Sequence, residues 1–327
     1  MVITAQERLT PIVEFEVWRG IDNVAPDDMR LSLGFVRVAD NVDIDNSAMV
    51  HMRKRVLRRL SSGSWHSAWT NDTQCFAVLN GDLVEVNTDW TTTMVLEDVG
   101  NSKMNFVQVG KRIFFTNVSI IGVIEEGMVY PFPPTTQTFK EKMLGGELIE
   151  YYDARLYVAQ DKEIYYSDAV NPMIMDSRKN FILTGGPITM LNAVEDGIYV
   201  SAAGKTFFMH GPDPFDFKYK PILDVAAIRG SPRSFDKDII TYAKQGTFAG
   251  KCVIFSTTDG IFMGHKGGVI EDMTGKHYAV LGIEDGCSFV RWDSQRQQYI
   301  FLGEYPAGIG VASFEVKLPG ISVSLDG

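Results

Sequence analysis

The stretch Tyr152–Ser167 reads Y-D-A-R-L-Y-V-A-Q-D-K-E-I-Y-Y-S. Two runs of aliphatic and aromatic residues, Arg155–Ala159 and Glu163–Tyr166, flank a short polar link, the pattern of a β-hairpin. The unit recurs at Glu195–His210 (EDGIYVSAAGKTFFMH), at Gly250–Gly264 (GKCVIFSTTDGIFMG) and more weakly at Gly110–Val123 (GKRIFFTNVSIIGV). With Ile113, Leu156, Ile198, Val253 and Tyr299 taken as equivalent, successive offsets are 43, 42, 55 and 46 residues. A period of about 40–50 residues with four strands per repeat is that of β-propeller blades. One small sheet cannot bury both of its faces, whereas a closed ring of sheets buries them and leaves few free edges.

Outward from these units, strand-like runs continue in both directions: Val13–Trp18, Cys75–Leu79, Leu83–Val86, Gln298–Leu302 and Ala312–Leu318. Helical periodicity is scarce. Met49–Leu60 (MVHMRKRVLRRL) is the best helical stretch, and it reads equally as a strand continuing past a turn at Asp45–Asn46. The expected fold is all-β, a propeller of about six or seven small antiparallel blades. Residues 1–327 then form one domain, with residues 1–12 as an extension. The alternative is two β-sandwich domains split at Tyr130–Thr136 (YPFPPTT), where prolines break strand pairing. That segment is read here as a loop between blades. Closure is expected from the termini, with strands from both ends sharing one blade and Phe314, Val316 and Leu318 facing the core.

Net charge is −10, which argues against wrapping nucleic acid by neutralising phosphates. It suits solubility, or an acidic wall past which DNA slides. Cys75, Cys252 and Cys287 are odd in number and far apart, so no disulfide framework is expected. A reducing compartment fits. The first ten residues carry no apolar signal core, and no run approaches the length of a membrane span.

Searches for chemistry return structural readings. Ala202–Thr206 (AAGKT) ends like a phosphate loop, but Tyr199 stands where the first glycine is required, so a hairpin turn is expected. Ser64 and His66 are neighbours without a third partner. His51, His66, His210, His265 and His277 lack metal-ligand spacing and read as turn or surface residues. Asp40–Asp45 (DNVDID) lacks the glycine and distal glutamate of a calcium loop and reads as a strand with an acidic outer face. Trp292–Asp293 occurs once, and sialidase-type S-x-D-x-G-x-x-W turns do not occur. No catalytic, metal or cofactor residue is expected. Arg53, Lys54, Arg55, Arg58 and Arg59 form the one basic cluster, a candidate for contact with nucleic acid or an acidic partner surface, or else a solvated face.

Trp18–Asn23 (WRGIDN), Pro26–Asp45 (PDDMRLSLGFVRVADNVDID) and Met52–Arg55 (MRKR) together resemble the opening of β-propeller virion proteins of tailed phages. Tyr152–Pro172 (YDARLYVAQDKEIYYSDAVNP) resembles the blade units of the same tail-hub, nozzle and packaged-DNA-stabilising class. The resemblance implies a non-enzymatic structural component of the tail or head–tail axis, assembled in the bacterial host cytoplasm. It implies a homo-oligomeric ring bound to other tail or connector proteins, past which packaged DNA moves without tight binding. The alternative is a carbohydrate-binding or carbohydrate-active propeller.

Overall fold

A computed structural model describes residues 18–26, 30–39, 42–44, 50–52, 60–236, 250–293, 296–304, 311–318 and 323–326. Among them are six four-stranded antiparallel sheets following one another along the chain. Blade one is Trp65–Thr70, Cys75–Leu79, Asp82–Val86 and Thr92–Leu96; blade two is Asn105–Val109, Arg112–Thr116, Ile121–Glu125 and Met128–Pro131. Blade three is Leu148–Tyr152, Arg155–Gln160, Glu163–Tyr166 and Phe181–Leu183; blade four is Ile188–Val194, Gly197–Ala202, Lys205–His210 and Lys218–Leu223. Blade five is Arg233–Asp236, Lys251–Thr257, Gly260–His265 and Val269–Asp272; blade six is Asp285–Asp293, Arg296–Glu304, Val311–Leu318 and Val323–Asp326. The fold is an all-β propeller.

The turns make the sheets. Asn80–Gly81, Glu126–Gly127, Asp153–Ala154 and Ala203–Gly204 all have positive φ at both central positions. This is the two-residue turn whose twist matches that of antiparallel strands. Ala202–Thr206 is therefore a hairpin corner, with Ala202 opposite Lys205.

The five residues aligned by sequence, Ile113, Leu156, Ile198, Val253 and Tyr299, all lie on the second strand of their blades and are at most 2% exposed. The long 55-residue offset has a simple origin. Residues 195–196 link the first two strands of blade four, whereas residues 237–250 make that link in blade five. Tyr130–Thr136 lies in the connection from blade two to blade three.

Each pair of successive blades shares a separate core. Phe76, Leu83, Ile113 and Phe115 join blades one and two. Phe114, Val123, Leu156 and Val158 join two and three, while Tyr157, Ile164, Ile198 and Met209 join three and four. Met190, Tyr199, Phe208 and Phe255 join four and five, and Ile254, Met263, Tyr299 and Phe301 join five and six. The first strands of successive blades run side by side around the middle.

Closure differs from the expectation. All four strands of blade six come from the C-terminal end of the chain. The remainder of Val13–Trp18 and the side chains of Phe314, Val316 and Leu318 lie outside the described residues. What the N-terminal part supplies is an anchor. Gly20–Ile21 pairs in parallel with Phe35–Val36, and Ile21 enters the core between blades five and six. Asn23 exchanges two hydrogen bonds of 2.9 Å with the backbone of Ala279. Asp22 accepts from the amides of Val24 and Ala25 and lies 3.0 Å from Nδ1 of His277. The W-R-G-I-D-N motif is thus the clamp that fastens the first segment to the last two blades. Part of the basic stretch, Val50–Met52, is a strand paired with Val42–Ile44, so this end of Met49–Leu60 is extended, not helical.

The clamp is pH-sensitive. Burial opposes ionisation of Asp22, but the hydrogen bonds from His277, Ala25 and Val24 outweigh it and hold the carboxyl below its ordinary value. A depressed folded-state pKa means that the stabilisation is complete above the unfolded value of about 3.9 and is lost as pH falls through the folded one. Asp22→Ala should lower stability by about 2–3 kcal/mol near neutrality, the range for hydrogen bonds to a charged group. The deficit should shrink below about pH 4. Denaturant titrations at several pH values check this; a deficit independent of pH would contradict the ionised clamp.

Candidate functional site: the mouth of the central channel

The link entering each blade's first strand brings a residue to one end of the central channel. Four charged residues arrive this way. Lys103 precedes blade two, Glu147 blade three and Arg229 blade five, while Asp285 opens blade six. They pair across the opening and not with their sequence neighbours. Arg229 binds the carboxylate of Glu147. Lys103 donates to Asp285 at 2.6 Å and to the carbonyl of Gly286 at 3.3 Å. Asn105 donates to the carbonyl of Glu147, and Asn192 to Oγ of Ser234 at 3.0 Å, tying neighbouring blades below the mouth. Deeper still, the buried carboxylate of Glu150 accepts from Lys251 at 3.2 Å and from the amides of Tyr151 and Ala193 at 3.0 and 3.1 Å. Side chains of blades two, three, five and six are thus tied to one another by ion pairs on the inner side of the fold.

Blade five contains a second constellation. Sγ of Cys252 lies 3.2 Å from Nδ1 of His265, and Nε2 of His265 lies 3.4 Å from Glu271. Thiol, imidazole and carboxylate in that order are the parts of an activated nucleophile. Cys252 and His265 are each only 2% exposed, so the thiol has no opening to a substrate. The reading of His265 as a turn or surface residue is thus corrected: it ends a strand directly opposite Cys252, and the strand pairing, invisible in sequence, makes the contact. His277 stacks on Phe35 and His210 on Phe208.

A third feature lies on the outer rim between blades one and two. An apolar groove of about 610 Å³ is lined by Val95, Leu96, Phe115, Ile121, Met128 and Val129. Met94, Met128 and Tyr130 are exposed on it or beside it. Glu97 follows one lining residue and Glu126 precedes another segment of the lining, and both are exposed. Among the described residues no His, Cys, Asp and Glu group is arranged to hold a metal ion. Arg53, Lys54, Arg55, Arg58 and Arg59 lie outside the described residues. No helix among the described residues is long and apolar enough to cross a membrane.

No protein-family model and no curated protein matches the chain. Solved structures do. The WD40 domain of SCAP from fission yeast is similar at 11% identity over 77% of this chain and 63% of that one, with a TM-score of 0.40. Regucalcin from Agrobacterium tumefaciens, a calcium-binding protein, is similar at 8% identity over 80% and 91%, with a TM-score of 0.41. PorZ, a bacterial surface component of the type-IX secretion system of Porphyromonas gingivalis, is similar at 12% identity over 79% of this chain, with a TM-score of 0.40. The chain spans 38% of the length of PorZ.

Proposed function

We propose that this chain is a non-enzymatic structural component of a tailed-phage virion, built into a ring on the tail or head–tail axis. The observation that carries the reading is the rim groove. It is an apolar surface beside an exposed outer strand, and such patches serve protein contact. Its occupant in this reading is the next copy in the ring. The groove is flanked by Glu97, Asp98 and Glu126, and the chain's one basic cluster, Arg53, Lys54, Arg55, Arg58 and Arg59, is interspersed with Val56, Leu57 and Leu60. An apolar-basic segment on one copy and an apolar-acidic groove on the next make a head-to-tail contact. Repetition of such a contact closes a ring when the rotation allows. The ion pairs Lys103–Asp285 and Arg229–Glu147, which tie separate blades to one another, also support a scaffold. Likeness of Trp18–Asp45 and Tyr152–Pro172 to phage virion propellers supplies the location.

The test is hydrodynamic and biological. Val95→Lys with Met128→Lys should convert a ring into monomers in sedimentation velocity and remove the protein from purified particles, while the thermal midpoint of the monomer stays close to that of the wild type. A wild type that is monomeric at every concentration and absent from particles would overturn the proposal. Release of reducing sugar from host polysaccharide by the purified protein would favour the carbohydrate-active alternative.

A further inference from the structure

Among the described side chains, Trp90 is the tryptophan most open to solvent. It is 55% exposed, whereas Trp18, Trp65 and Trp69 are half-buried and Trp69 stacks on Phe76 and Phe106. Trp90 stands on the loop 87–91, between the third and outermost strands of blade one. Its φ is 68°, in the left-handed region that is disfavoured for a bulky side chain. No ring or cation among the described residues packs on it. The backbone is thus strained to hold a large aromatic ring in water, although asparagine or glycine would make the same turn without that strain. Strain that the fold itself does not need points to a use outside the fold.

The loop around the ring is polar and firmly tied. The amide of Trp90 donates to the carbonyl of Asn87, and the amide of Asn87 to the carbonyl of Thr91, both at 2.9 Å. Oδ1 of Asp89 accepts from the hydroxyl and the amide of Thr91 at 2.6 and 3.0 Å. Those bonds, the hydroxyl first, hold the Asp89 carboxyl below its ordinary value, so it is ionised near neutrality. Nδ2 of Asn87 donates to the hydroxyls of Thr91 and Thr93 at 2.9 and 3.1 Å. Among the described residues, Oδ2 of Asp89, Oδ1 of Asn87, the hydroxyl proton of Thr93 and the indole N–H of Trp90 remain for a ligand. Acceptors and donors therefore stand within three residues of an open aromatic ring. A pyranose sugar is the complement, with C–H groups on one face for the ring and hydroxyls at its edge for the polar atoms. An organic cation fits less well, because such ligands take several rings and make no use of the donors.

We propose that the blade-one loop Asn87–Thr93 binds a pyranose sugar, its C–H face stacked on Trp90 and its hydroxyls bonded to Asp89, Asn87 and Thr93. The loop enters the outermost strand at Thr92, whereas the rim groove takes Leu96 at the other end of that strand, so the two surfaces are separate. The site is independent of whether the protein sits in a virion, because it lies within one chain.

The experiment uses the full-length protein with fluorotryptophan at its five tryptophans, read by fluorine resonance. The probes are glucose, galactose, mannose, N-acetylglucosamine and their linear trisaccharides, with sorbitol as the open-chain control and tetramethylammonium as the cation. At least one sugar should move, in a saturable way, the resonance that Trp90→Phe removes, and sorbitol should not. In calorimetry, Trp90→Ala should weaken binding of that sugar about tenfold or more, and Thr93→Val, which keeps the ring, should weaken it by a smaller factor. Trp90→Asn should lose the sugar yet melt no lower than the wild type, since asparagine tolerates this φ. The proposal fails if no sugar moves the resonance beyond sorbitol, or if tetramethylammonium moves it and the sugars do not. It fails equally if Trp90→Ala binds as the wild type does, or if Trp90→Asn melts well below the wild type, which would make the ring part of the packing.

Discussion

Gly230→Ala should destabilise the protein by about 2–5 kcal/mol, among the largest effects of any single methyl group in this chain. Gly230 has φ +77°, where an L side chain costs about 1–2 kcal/mol. An added Cβ would also stand 1.9 Å from the carbonyl oxygen of Gly286 and 2.7 Å from its carbon. Both atoms belong to backbone, so no side chain can swing aside, and overpacking of this kind costs about 1–3 kcal/mol more. The contact joins the entry to blade five with the start of blade six, next to the salt bridges of the mouth. Loss of the contact should therefore loosen the seam as well as lower the midpoint. Gly204→Ala is the control, since nothing lies within 4 Å of its added Cβ although φ is again positive. Equilibrium unfolding of the two variants checks the account. Equal losses would show that only the backbone conformation matters and that blades five and six do not touch at Gly230.

Tyr199→Ala should cost about 3–5 kcal/mol, the range for emptying a large aromatic site. Tyr199 is fully buried between blades four and five. Its ring packs on Phe208 at 5.0 Å and lies against Gly264, where a Cβ would come within 2.7 Å of it. Its hydroxyl donates to the carbonyl of His265 at 2.6 Å and lies 2.8 Å from that of Val269. Tyr199→Phe separates the two contributions. It keeps the ring and should cost about 1–3 kcal/mol, the penalty for leaving a buried acceptor unmade. Denaturant midpoints with unchanged slopes would show that the effect is on stability alone. A Tyr199→Phe variant as unstable as Tyr199→Ala would contradict the division between ring and hydroxyl.

The repeat was legible in the sequence because of what the second and third strands do. Gly197–Ala202 is buried at every position, and Leu156, Tyr157 and Val158 are wholly buried. A strand covered on both faces must be apolar throughout, so it stands out as a continuous run. Some first and outermost strands are different. Trp65–Thr70 and Asn105–Val109 are only half-buried, while Thr92–Leu96 and Lys218–Leu223 are largely exposed. Their residues look like loop, and the sequence reading passes over them. The repeat period implied four strands per blade but did not locate these.

The candidate site was hardly legible. Lys103, Glu147, Arg229 and Asp285 are single charges in links of mixed composition, and no motif joins them. They meet because each stands just before, or at the start of, a blade's first strand, at the same end of the channel. The one available signal was position within the repeat: Lys103 and Glu147 are 44 residues apart, one blade. His265 was misjudged for the same reason, since its partner Cys252 is set by strand register and not by chain spacing. The W-R-G-I-D-N motif was recognised as a resemblance, and its physical task, clamping the first segment to Ala279 and His277, emerged only from the fold.

The central proposal is that this propeller is a ring-forming part of a virion. Electron microscopy of particles purified from the bacterial host, with this chain carrying a short affinity tag labelled by gold, tests it most directly. The account predicts label confined to the tail or head–tail axis, arranged around that axis at a fixed radius. Label scattered over the capsid surface, or particles without the chain, would contradict it.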